Sequence, residues 1–124
     1  MSTIILNEQI DQIKLKLDLN YDEKSVGILE NQIDWMSEQS IEYDIKQAIN
    51  EYALFYGQCL IHVYNGEWLI DPITYKRVVS IKPFLRIDPH EVIRTYFDKR
   101  HFNTSFYLFF KGLSHILPIN KNKK

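Results

Sequence analysis

One cysteine, four glycines and four prolines in 124 residues already exclude several kinds of protein. With Cys59 alone the chain can build neither an internal disulfide framework nor a multi-thiolate zinc site, so its stability has to come from packing. The glycines fall in no G-x-G-x-x-G, G-x-x-x-x-G-K-[ST] or G-x-S-x-G pattern, which leaves a phosphate-cradling loop or a nucleophile elbow without a foothold. His62, His90, His101 and His115 show no H-x-x-x-H or H-E-x-x-H spacing, so no metal site and no cofactor are expected. The longest apolar runs are interrupted by Gly57, Gln58 and His62, well short of the roughly 20 apolar residues a membrane span needs. The first ten residues carry no basic segment and already include Glu8, which is not the pattern of a secretory signal. The expectation is a cytoplasmic protein that does not enter a membrane.

What is present suffices for one substantial core. Hydrophobic residues make up 45% of the chain, and there are eight Tyr and seven Phe. At 124 residues this suits one domain spanning 1–124, with 118–124 as a frayed basic tail.

Periodicity outlines an α+β fold. Leu6, Ile10, Ile13 and Leu17 recur at helical spacing, which suits a helix over 8–17, but Ile13, Leu15, Leu17 and Leu19 also alternate as in a strand. Asn7 as a cap, with Glu8 in the first turn, favours helix. Asp22, or alternatively Ser25, caps a second helix over 23–38 that buries Val26, Leu29, Ile33 and Met36 and leaves its other side polar. From Ile41 an apolar stripe runs through Ile45, Ala48, Ile49, Tyr52, Ala53, Tyr56, Leu60 and Val63 to Tyr64 and predicts one long central helix. Asn65-Gly66 is a strong hairpin signal too, but the stripe stays in phase up to it, so helix, then Gly66 as a left-handed cap, then strand is preferred. Residues 67–71 and 76–82 read as antiparallel strands around the Asp71-Pro72 turn, with 84–87 as a third. Asp88-Pro89 opens a helix through 91–97. A last helix is expected over 104–117, carrying Phe106, Phe109, Phe110, Leu113 and Leu117 and ending at Pro118.

Several segments together are familiar. The run Tyr21-Asp22-Glu23-Lys24-Ser25-Val26, then Leu54-Phe55-Tyr56-Gly57-Gln58-Cys59-Leu60-Ile61, Tyr64-Asn65-Gly66-Glu67-Trp68, Asp88-Pro89-His90-Glu91-Val92 and Ser105-Phe106-Tyr107-Leu108-Phe109-Phe110 resembles a family of small uncharacterised bacterial proteins. Members of that family carry a Gly-Ser-Phe-Leu-Gly-Glu-Cys-Ile-like helix followed by Gly-Gly-x-Trp. The resemblance spans residues 21–117, supports the helix-then-strand reading at Asn65-Gly66 and implies no activity. Where the pattern has Gly-Glu, this chain has Gly57-Gln58, and an amide cannot exchange a proton near neutral pH.

Three residue sets bear on chemistry. Cys59 and His62, three apart on the central helix, have the minimum spacing for a thiolate–imidazole pair, but the surrounding sequence is so apolar that a buried thiol beside a hydrogen-bonded histidine is preferred. Gly57 costs a helix about 1 kcal/mol relative to Ala, so a close approach is expected there, with the Trp68 ring as the candidate. Trp35 and Trp68 are both read as core or half-buried packing.

Charge divides the chain. Residues 1–60 hold eleven acids against four lysines, −7, and residues 61–124 hold five acids against eleven lysines and arginines, +6. Asp22, Glu23, Glu30, Asp34, Glu38, Glu42, Asp44 and Glu51 are too many to bury and are expected to coat helix faces, where a basic protein would be steered. The leading expectation is therefore a non-enzymatic protein-binding module, for instance an immunity- or antitoxin-like protein that occludes a basic partner through this acidic face; homodimerisation of acidic on basic faces is a variant. The alternative is a small enzyme or ligand-binding domain with a cleft near Gln58, His62 and Trp68. Nucleic-acid binding through Lys76, Arg77, Lys82, Arg86, Arg94, Lys99 and Arg100 is disfavoured, because acids interrupt the set and the pI is about 6.4.

Overall fold

A computed structural model describes residues 3–38, 45–82, 85–99 and 105–117. The fold is α+β. Three helices, α1 (Thr3–Leu17), α2 (Glu23–Glu38) and α3 (Ile45–Tyr64), precede strands β1 (Glu67–Ile70), β2 (Arg77–Ile81) and β3 (Leu85–Ile87), and α4 (Pro89–Lys99) and α5 (Phe106–Gly112) follow. The sheet is antiparallel in the order β1-β2-β3, with Trp68 opposite Val79 and Val79 opposite Ile87. None of the described helices is long and apolar enough to cross a membrane.

The ambiguity in the first segment resolves as helix. Leu6, Ile10 and Ile13 are buried at helical spacing, while Leu15, which a strand would turn inward with Ile13, is 78% exposed. The helix begins at Thr3, so Asn7 lies inside it and is not its cap. It ends at Asp18, whose φ of 57° closes the last turn as its N–H donates to the Lys14 carbonyl at 2.9 Å.

α2 occupies the expected span. Asp22 is the cap, accepting the Ser25 N–H at 2.8 Å; Ser25, the alternative, lies inside the helix and its hydroxyl turns back to accept the Asn20 N–H at 3.0 Å. Val26, Leu29 and Ile33 are fully buried. Trp35 is not: at 59% exposure it stands out from the helix, against the expectation of core packing.

α3 is the hub, touching α1, α2, α4, β1 and β2. Only residues 45–64 of the predicted rod are described; 41–44 lie outside them. Residues 52–57 are buried without a break, so the middle of α3 is enclosed on all sides and not along one stripe, while Ile45 at its start is 49% exposed. A helix enclosed this way takes its burial from its neighbours, which a one-sided stripe does not anticipate. It stops at Tyr64, before the Asn65-Gly66 pair, as predicted, but the residue that takes the left-handed cap position differs. Asn65, with φ 60°, takes the left-handed position, and no glycine has positive φ. Gly66 is needed for space instead: a Cβ there would lie 2.9 Å from Val79 and 3.0 Å from Ile81 as the chain turns onto the sheet.

The β1–β2 connection is built on Asp71, whose carboxylate accepts the Ile73 and Thr74 N–H groups at 2.8 and 3.0 Å. Those bonds hold its pKa below the usual carboxylate value, with Arg86 adding to the effect. Asp88 caps α4 by accepting the Glu91 N–H at 3.1 Å. The last helix is shorter than predicted: Ser105 caps it by accepting the Leu108 N–H at 3.1 Å, and after Gly112 the chain tightens into a 3-10 turn, Leu113–His115. Phe106, Phe110, Leu113 and Leu117 are buried as expected, whereas Phe109 is 44% exposed. Phe106 stands edge-on to both Tyr56 and Tyr96, with ring centroids 5.4 and 5.0 Å away. The Tyr64 hydroxyl donates to the Phe110 carbonyl, and burial, reinforced by the Glu23 carboxylate, pushes its pKa up to about 12. Residues 83–84, 100–104 and 118–124, with the Phe84 strand start, His101, the Pro118 stop and the tail, lie outside the described residues.

Candidate functional site

A close approach paired with a hydrogen bond joins α3 to β1. Gly57 lies in the enclosed middle of α3, and Trp68 on β1 lays its ring where a side chain would be: a Cβ on Gly57 would fall 2.1 Å from Cη2 and 2.6 Å from Cζ2. At the next residue, Gln58 Oε1 accepts the indole Nε1–H at 3.1 Å. The glycine sets the depth of the ring and the amide sets its rotation. The close approach expected at Gly57 is therefore present with the expected partner, and Gln58 has a structural task that a carboxamide performs.

Trp68 forms one side of a cleft of about 330 Å³ between α3, β1 and the start of α4. Ala53 and Leu54 of α3 and Pro89 of α4, all buried, supply an apolar floor. Lys76 and Arg77, where the chain enters β2, Asp88 and His90, where α4 begins, and Asn50 of α3 supply polar groups. Of the three residues predicted to mark a cleft, Trp68 lines it and Gln58 holds Trp68 from behind.

His62 is elsewhere. Its ring lies 4.7 Å from that of Tyr21, which also packs on Phe55. Cys59 is fully buried, and its Sγ lies 3.9 Å from the Asn20 carbonyl, the contact of a weak S–H donor. Burial and the Asp22 carboxylate push the thiol pKa well above its ordinary value, opposite to the shift a nucleophilic cysteine needs. In the native protein at pH 8, Cys59 should react with iodoacetamide only as fast as α3 opens and should react freely in urea. Stoichiometric labelling of the folded protein within minutes would show that the thiol is accessible.

The acidic residues are distributed differently from the expected coat. Asp22 caps α2. Glu30 accepts the Ser105 hydroxyl at 2.6 Å and the Tyr107 N–H at 3.1 Å, tying α2 to α5. Asp34 accepts the Tyr96 hydroxyl at 2.6 Å from α4. Glu51 pairs with Lys16 at 2.9 Å. Glu23 lines an open groove of about 410 Å³ with Gly27, Ile28, Asn31 and Tyr107. Glu42 and Asp44 lie outside the described residues, as does the side chain of Glu38. Four of the five carboxylates seen are thus engaged within the fold.

The basic set is divided too. Arg86 approaches Asp71 at 3.6 Å, and Arg94 bridges Glu91 and Asp98 on its own helix. Among the described residues no three His, Cys, Asp or Glu side chains gather where they could hold a metal ion. No protein-family model, curated protein or solved structure matches the chain.

Two features escaped the sequence. Exposure of Trp35 had no local signal, since Trp35 adjoins Met36 and its inward or outward course depends on helix phase by a single residue. The meeting of Lys76 and Arg77 with Pro89 and Leu54 depends on how the sheet folds back onto α3, which no spacing encodes.

Proposed function

We propose that this protein is a protein-binding module that docks a basic, amphipathic partner along the exposed side of α2. The observation that carries the reading is Trp35, a large aromatic side chain 59% exposed on a helix whose opposite side buries Val26, Leu29 and Ile33 fully and Met36 in part. Tryptophan is among the residues most enriched where binding energy concentrates, and water-exposed indole is otherwise unfavourable. Ile28, seven residues earlier on the same side of the helix and 36% exposed, extends the apolar strip into the groove beside Tyr107. Between residues 23 and 38 the formal charge is −3, from four acids against Lys24, so a partner that covers the strip meets a negative surround. The acidic face of the sequence reading is thereby narrowed to an apolar strip in an acidic setting, because Asp22, Glu30, Asp34 and Glu51 have internal bonds.

The test is Trp35→Ala. Affinity capture from the cells that make the protein should retain a basic partner on wild type, release it progressively as salt rises, and lose about tenfold or more of it with the variant. The urea midpoint should stay within about 0.5 kcal/mol of wild type in stability, since an exposed side chain is removed. Equal retention by the variant, or retention insensitive to salt, would count against the reading. If the retained species is the chain itself, sedimentation of the untagged protein would show a dimer instead.

A further inference from the structure

The cleft at Trp68 carries an inference that is independent of docking on α2. We propose that it binds a small organic monocarboxylate with an aromatic-sized apolar body, the carboxylate held by Arg77 and Lys76 and the body set against Trp68. At about 330 Å³ the space lies at the lower end of the range for small-molecule sites, about 300–1,000 Å³. Its floor of Ala53, Leu54 and Pro89 offers nothing polar from a side chain. The Trp68 wall is fixed in advance by Gly57 behind it and by the Gln58 bond, so a ligand would not have to order it, and such preorganisation favours affinity.

Charge selects the ligand's sign. The lip holds two fixed cations against the single carboxylate of Asp88, which already accepts the Glu91 N–H. The nearby acids Asp71 and Glu91 are paired with Arg86 and Arg94, while Arg77 enters no ion pair among the described residues. Lys76 is partly offset by Glu91, whose pKa it helps to lower, so Arg77 is the stronger site for an anion. A guanidinium meets a carboxylate with two parallel N–H···O bonds. A net single positive charge beside an apolar floor fits a monoanion with a hydrophobic body better than a phosphate dianion. An amine would be repelled.

The experiment titrates the ¹⁵N-labelled full chain at constant ionic strength with phenylacetate, phenylacetamide, acetate and inorganic phosphate, following the Trp68 indole N–H and the amides of Arg77 and His90. Phenylacetate should shift all three saturably, and the amide and acetate should bind about tenfold more weakly or worse, each lacking one half of the recognition. Arg77→Gln should weaken phenylacetate by about tenfold or more while the free protein's Trp68 indole signal stays in place. If that signal moves, Lys76→Gln, at an exposed position, provides the same comparison with a smaller loss. No saturable shift with phenylacetate, equal binding of phenylacetamide, tighter binding of phosphate, or unchanged affinity in the variants would overturn the proposal.

Discussion

Gly57→Ala should destabilise the protein by about 2–3 kcal/mol, although alanine is the better helix former by about 1 kcal/mol. The added methyl would lie 2.1 Å from Trp68 Cη2 and 3.0 Å from Cζ3, so either the indole or the α3 backbone has to give way. The indole is constrained by its bond to Gln58 and by its place on β1, opposite Val79. The backbone is constrained by the enclosed run 52–57. Trp68→Ala removes the obstacle and on its own should cost about 2–3 kcal/mol, toward the low end for loss of a large aromatic because the ring is only half buried. In that background Gly57→Ala should change sign and stabilise by about 0.5–1 kcal/mol, the helix preference being all that remains. A coupling of about 3 kcal/mol in a double-mutant cycle, read from urea midpoints, is the signature of direct contact. Additive effects would mean that the ring and the glycine do not touch. Because Trp68 also walls the cleft, Gly57→Ala should weaken phenylacetate binding as well, through displacement of the ring.

The Gly57–Trp68 pair shows what a sequence can disclose. A glycine inside a strongly helical stripe conflicts with local propensity, and such a conflict points to a tertiary reason nearby. The reason had few candidates among the large rings, and Trp68 was one of them. The element order was legible for a similar cause: helical spacing in α2 and α3, the caps at Asp22 and Asp88, and strands flanking Asp71-Pro72 are local signals that tertiary packing reinforces. Leu15 was not decidable, because its segment satisfies both the helical and the alternating pattern until a neighbour selects one. Asn65 took the left-handed position because a short polar side chain tolerates it, leaving Gly66 free to serve close packing. Counting carboxylates misled most. Composition shows that Asp22, Glu30, Asp34 and Glu51 are not all buried, but a half-exposed carboxylate can also accept a hydroxyl, an N–H or an ammonium from its own chain. Three of those donors, Tyr96, Ser105 and Tyr107, lie more than sixty residues away in sequence.

Glu30→Ala should lower stability by about 3 kcal/mol, the second large effect, and should do so through α5. That helix has only seven residues, too few to persist on its own in water. Its start is organised by two linked acceptors: the Ser105 hydroxyl oxygen accepts the Leu108 N–H, and the Glu30 carboxylate accepts the Ser105 hydroxyl and the Tyr107 N–H. A negative charge at that helix start is also favoured by the aligned peptide dipoles. Alanine removes the charged acceptor, leaves the Tyr107 N–H without its partner, and loosens the attachment that keeps Phe106 and Phe110 against Tyr56. Glu30→Gln keeps one acceptor oxygen and should lose about half as much. The control is Glu23→Gln, one groove wall away, whose carboxylate caps nothing in α5: its stability should stay within about 0.5 kcal/mol of wild type. Urea unfolding followed by near-ultraviolet dichroism reports these differences, because Tyr56, Phe106 and Phe110 lie at the affected contact. On the docking proposal the two acids then separate cleanly, with Glu23→Gln weakening a basic partner at low salt and Glu30→Gln weakening the fold. A Glu30→Ala protein as stable as wild type would mean that α5 is held by its aromatic contacts alone and that Glu30 is available to a partner after all.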